Sequence, residues 1–120
     1  MKVETDKYKL YQGDCLEVMD GLISLGVKFD AIITDPPYGT TACKWDSIIP
    51  FDEMWERLNK LIKPNGAIVL FGTQPFSSLL ISSNIKKYKH SWVWHKKCWK
   101  LISSKISTFK NYRRCNGFYE

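Results

Sequence analysis

Four residues concentrate the chemistry of this chain: Asp35, Pro36, Pro37 and Tyr38, which follow directly on the apolar run at residues 31–33. Each proline locks φ and supplies no backbone donor, yet keeps its carbonyl as an acceptor. A carboxylate and a neighbouring carbonyl at a strand end form an acceptor pair able to hold both hydrogens of one amino group. Holding both hydrogens disfavours conjugation of the nitrogen lone pair with an attached ring and leaves the nitrogen more nucleophilic. Tyr38 supplies a face on which that ring stacks. The constellation suits an aromatic amine, such as adenine or cytosine, extruded from its helix by base flipping. The same residue types also make an ordinary strand-ending turn, and it is the buried strand ahead of them that favours chemistry.

The elements that must position this turn are legible as alternating patterns. Residues 8–14 (YKLYQGD) read as a short strand closed by a turn. Leu16, Met19, Leu22 and Ile23 then recur at helical spacing, with Gly26 as the helix end. Residues 27–35 form a second strand whose continuous apolar stretch suits burial on both faces. Residues 50–66 carry helical start and stop signals: Asp52 early, an apolar set of Met54, Trp55, Leu58, Leu61 and Ile62, then Pro64 and Gly66. Residues 67–72 form a third strand, residues 74–85 a further short helix, and residues 90–96 a fourth strand with Trp92 and Trp94 on one face. This order predicts an α/β, partial Rossmann-like fold: an open, mostly parallel sheet flanked by helices. Ligands of such sheets bind outside the carboxyl ends of the strands. Gly13 with Asp14, the Asp35 turn, and Gly72 with Thr73 each close a strand and are expected on one edge.

At 120 residues the chain has room for one modest domain and too little for a second independent core. Its apolar and charged fractions are those of an ordinary globular protein. No apolar run reaches the roughly 18 residues that span a bilayer, and the first ten residues lack a signal-peptide core, so a cytoplasmic protein with no membrane partner is expected. Cys15, Cys43, Cys98 and Cys115 are widely spaced and read as free thiols, and His90 and His95 fit no ligand motif, so no metal site is expected. Charge is divided unevenly: residues 1–60 carry a net −4 and residues 61–120 a net +10. A half this basic attracts polyanions, because neutralising phosphates releases condensed counterions. Nucleic acid is the leading partner, and a merely solvated basic tail is the alternative. Regular patterning stops near residue 96, which divides the chain into residues 1–96 and a basic, poorly patterned stretch at 97–120.

The segment TDPPYGTTACKWD, with LYQGDCLEVM upstream and GAIVLFGTQPF downstream, resembles the S-adenosylmethionine-dependent amino DNA methyltransferases. The similarity is to the permuted subgroup in which the catalytic motif precedes the glycine-rich cofactor motif, and in particular to the short adenine-N6 or cytosine-N4 methylases of phages and restriction systems. The resemblance implies a methyl transfer to an exocyclic amine of a flipped base, with adenine favoured. It implies that Asp35 and the Pro36 carbonyl accept from the target amine, that Pro37 stiffens the turn, and that Tyr38 stacks on the base. Asp14 and Asp35 would lie beside S-adenosylmethionine; a simple strand-capping Asp is the alternative for Asp14. In the loop that follows, Lys44 would meet a DNA phosphate and Trp45 would stack, unless both only pack against the sheet. Trp92, Trp94 and Trp99 form either a stacking surface or part of the core. The subgroup's Phe-x-Gly-x-Gly turn does not occur in these 120 residues, so the expectation is the catalytic half of a methyltransferase domain, weak or inactive alone. A homo-oligomer or a second chain completing the fold would follow. The competing expectation is a nucleic-acid-binding remnant without chemistry.

Overall fold

The computed structural model describes residues 1–95 and 112–119, with backbone only for residue 95 and for 112–119. Strands β1 (Lys2–Glu4) and β2 (Lys9–Tyr11) pair antiparallel as a separate two-stranded sheet. This corrects one expectation: the first patterned strand is shorter than residues 8–14 and lies outside the main sheet. Its residues are exposed, so it lacks the apolar faces that would hold it inside a covered sheet.

Helix α1 (Cys15–Ser24) begins at Asp14, whose carboxylate accepts from the N–H groups of Leu16 at 2.9 Å and Glu17 at 3.4 Å. That satisfies donors an N-terminus would otherwise leave orphaned. The helix ends as the sequence suggests, with Gly26 at φ 70°. The N–H of Gly26 donates to the Ile23 carbonyl and that of Val27 to the Leu22 carbonyl, which closes a Schellman motif.

Strand β3 (Phe29–Thr34) pairs parallel with β4 (Ile62–Gly72), and helix α2 (Phe51–Leu61) crosses between them. Helix α2 stops earlier than residue 66. Pro64 disfavours helix at the residue before it, and Ile62 is already extended. Residues 63–66 bulge out of the ladder, with Asn65 at φ 64°, and pairing resumes at Ala31 opposite Ala67. Helix α3 (Phe76–Ser83) leads to β5 (Tyr88–His95). The last strand, β6 (Tyr112–Tyr119), lies between β4 and β5 and runs antiparallel to both.

The sheet order is therefore β3-β4-β6-β5, with three strands pointing one way and one reversed. The α/β class is as expected. The stretch expected to be an unpatterned tail contributes a strand. Its own sequence carries little alternation, and two flanking ladders supply the pairing that local propensity does not. Residue 96, Trp99 and Cys98 lie outside the described residues.

One face of the sheet is a packed core. Ile68 and Leu70 of β4 meet Met54, Trp55 and Leu58 of α2 and Phe76 and Leu80 of α3. The Trp55 indole N–H donates to the Ser83 hydroxyl at 2.8 Å, tying α2 to α3. Helix α1 is held to α2 by a bidentate pair in which Arg57 donates to both Asp20 oxygens at 2.8 and 2.9 Å.

Among the described residues the other face is only partly covered. Register places Ile33 beside Val69, and Phe71 in line with Trp92 across β6. The Phe71 and Trp94 rings are 6.0 Å apart on that face. Ile33 is 69% exposed and Trp92 45%, far from the double coverage expected of a parallel sheet. A face of this kind is a sticky surface. Ile33→Lys is expected to reduce concentration-dependent association on size-exclusion chromatography, and an unchanged elution series would count against this. Among the described residues no helix is long and apolar enough to cross a membrane.

Candidate active site

The carboxyl end of β3 delivers Asp35 to the rim of the sheet, with Asp35 exposed, Pro36 buried, and Pro37 and Tyr38 half-buried. Burial of Pro36 anchors the turn without leaving a donor unsatisfied, since proline has none. The Tyr38 hydroxyl donates to the Asp35 carboxylate. Its ring leans on Phe76, with centroids 5.0 Å apart and planes tilted by 35°, and Phe76 in turn meets Phe51 at 5.8 Å. Tyr38 is thus fixed from behind by the first residue of α3 while its hydroxyl faces the acid.

The chain then leaves the rim through Gly39 at φ 69°. A Cβ there would lie 2.9 Å from Ile48 Cγ1, and the left-handed conformation penalises any side chain. Gly39→Ala is expected to lower stability by about 1–2 kcal/mol, read as a shift in the urea midpoint. An unshifted midpoint would show that the turn adapts at no cost.

Asp46 closes the loop. Its carboxylate accepts from the backbone N–H groups of Gly39 at 2.9 Å, Thr40 at 3.0 Å and Thr41 at 2.6 Å, and its own N–H donates to the Cys43 carbonyl at 3.0 Å. It is 7% exposed. A side-chain hydrogen bond from Thr41 is the largest cause holding its carboxyl below the ordinary value; the backbone N–H groups add to this, and burial opposes it. The stabilisation is therefore complete above the ordinary carboxyl range and fades as pH falls below it.

Asp35, Pro36, Pro37, Tyr38, Thr40, Thr41, Trp45 and Asp46 line one cavity of about 280 Å³. Trp45, at 72% exposure, presents its indole at that cavity, and the neighbouring Lys44 is exposed. A second cavity, of about 300 Å³, lies against the same turn. Cys15 and Met19 of α1 line it, with Ile32, Asp35, Ile49, Met54 and Leu58 among its other walls.

The start of α1 therefore does reach the Asp35 turn, by way of the helix rather than as a strand end of the main sheet. Asp14 itself is engaged as the N-cap. His90, which is exposed, sits edge-on to Trp92 at 4.2 Å. Among the described residues no group of three or more His, Cys, Asp and Glu is placed to hold a metal ion, and Cys15 and Cys43 are free and exposed. Sequence reasoning missed Asp46 and Phe76. The available signal for Asp46 was an acid seven residues after a turn glycine, since Asp readily accepts from nearby backbone N–H groups. Phe76 carried no such mark.

No protein-family model and no curated protein matches the chain. Among solved structures it is similar to M1.HpyAVI, at a TM-score of 0.69 and 21% identity over 92% of this chain and 54% of that one. It is also similar to the M1.HpyAVI-SAM complex, at 0.64 and 22% identity over 92% and 53%. A third match is TTHA0409 from Thermus thermophilus, described as a candidate DNA modification methylase, at 0.58 and 20% identity over 90% and 50%. The chain spans about half the length of these structures, and what it shares with them over that half is the fold.

Proposed function

We propose that this chain is the catalytic half of an amino-directed DNA methyltransferase, weak or inactive alone, with adenine N6 favoured over cytosine N4 as the methyl acceptor. The observation that carries this reading is the Asp35 to Tyr38 turn at the carboxyl end of β3, opening on a cavity that also holds Trp45. Asp35 and the Pro36 carbonyl accept from the two hydrogens of the target amine, and Tyr38 and Trp45 flank its ring. The Tyr38 hydroxyl yields its place on Asp35 to the incoming amine. After methylation the Asp35 carboxylate takes the proton that the nitrogen sheds, so nucleophile activation and proton removal fall to one group. Lys44 meets a phosphate near the cavity mouth.

The cofactor in this reading is S-adenosylmethionine, and one of the similar structures is a SAM complex. The second cavity suits it: an apolar lining from Met19, Ile32, Met54 and Leu58 with the Asp35 carboxylate at its rim matches a molecule with a flat ring and a sulfonium. Bound there, the cofactor supplies an electrophilic methyl group. Asp14 at the start of α1 is proposed to face it. DNA is the proposed partner, and the basic residues beyond 96, whose strand β6 belongs to the same sheet, are proposed to add to its attraction. A second polypeptide or a second copy is proposed to cover the partly covered sheet face.

Isothermal titration with S-adenosylmethionine and salt-dependent DNA binding test the reading together. Heat on titration, with DNA affinity falling steeply as salt rises, is the expected result. Clear, salt-sensitive DNA binding with no heat would sink the enzyme reading and leave a binding module.

A further inference from the structure

We propose that Asp46 is a positioning residue that gives the base pocket its shape and therefore its preference for an amine-bearing ring; this rests on the function proposed above. A carboxylate this buried needs compensation. Among the described residues it has no cationic partner, and it is compensated by neutral donors: three consecutive backbone N–H groups and the Thr41 side chain. Successive N–H groups converging on one anion form a nest, and here the chain fills the nest with its own acid.

The placement of that nest matters more than its presence. It begins one residue after Tyr38 and is closed by the residue after Trp45, so one carboxylate fixes both ends of the segment that carries the two aromatic walls. Tyr38 has a second restraint in Phe76. Trp45, at 72% exposure, has far less packing to hold it, and its backbone is set by the turn from the Asp46 N–H to Cys43. Loss of the carboxylate charge loosens the Trp45 side first and widens the gap between the walls. Asparagine is the informative replacement. It is nearly the same size, but its NH2 group would point a donor at donors, where charge-assisted bonds stood before.

The test compares wild type, Asp46→Asn and the milder Thr41→Val for binding to short oligo-dA and oligo-dT strands, since thymine lacks an exocyclic amine. Wild type is expected to prefer oligo-dA by about tenfold, a difference of one well-made polar contact. In Asp46→Asn the ratio falls toward one with oligo-dT affinity unchanged, and Thr41→Val lies between. A purely structural loop defect would instead lower both affinities together, and that outcome, or a retained ratio, overturns the proposal.

Amide NMR separates this from failure of the functional reading. If wild type itself shows no preference, the amine reading falls. The positioning role is then judged by whether Asp46→Asn moves the Gly39, Thr40 and Thr41 amides and the Trp45 indole signal while the β3 amides stay in place. Unmoved loop signals would overturn it.

Discussion

Asp35→Ala is expected to cut, by about 100- to 1,000-fold, the incorporation of labelled methyl groups into adenine-containing DNA once a second polypeptide completes the fold, the usual cost of removing one preorganised polar group from an active site. Thermal unfolding should be nearly unchanged, because Asp35 is exposed and lies beyond the last residue of β3. The variant removes one of the two acceptors for the target amine and the acceptor of its shed proton. The Pro36 carbonyl remains, anchored by burial, so residual activity is expected rather than none. Tyr38→Phe serves as the companion. It deletes the hydroxyl that donates to Asp35 and keeps the ring against Phe76, so it should cost much less than the loss of the acid. Full activity in Asp35→Ala would show that the turn plays no part in the chemistry.

Leu70→Ala is expected to destabilise the fold by about 3–5 kcal/mol, measured as a fall in the urea midpoint at unchanged slope. Leu70 is 0% exposed and packs in the cluster formed by α2, α3 and β4. A loss of that size is a large share of the roughly 5–15 kcal/mol that holds a domain together. Ile33, paired with Val69 one position away in the same ladder, gives the contrast. At 69% exposure, Ile33→Ala should stay within about 0.5 kcal/mol. Two aliphatic residues one step apart across one parallel pair thus differ because successive side chains alternate faces, and among the described residues the packed cluster lies on one face. A small effect at Leu70 would mean that the core tolerates the cavity by collapse.

Local signals were legible in proportion to how locally they act. The Gly26 stop is a contest between neighbours within one turn of helix, and it came out as read. Strand β4 starts at Ile62, well ahead of residue 67, since Pro64 stopped the helix but did not determine where pairing would begin. The place of β6 was not legible. Tyr112–Tyr119 has weak alternation, and its position between β4 and β5 depends on two ladders distant in sequence. Asp14 was visible as an acid closing a strand, with a strand-capping or a cofactor role fitting that pattern; in the structure it caps the start of a helix instead.

By itself, the sequence determined the α/β class, the four-residue turn at the end of β3, and the acid, prolines and tyrosine that turn contains. These follow from residue chemistry and from periodicities of two and 3.6, which are properties of adjacent residues. Only the tertiary structure decided that Phe76 backs Tyr38, that β6 lies between β4 and β5, and that among the described residues the packed cluster covers one face of the sheet. Each of these is set by contacts between elements whose approach no local pattern encodes.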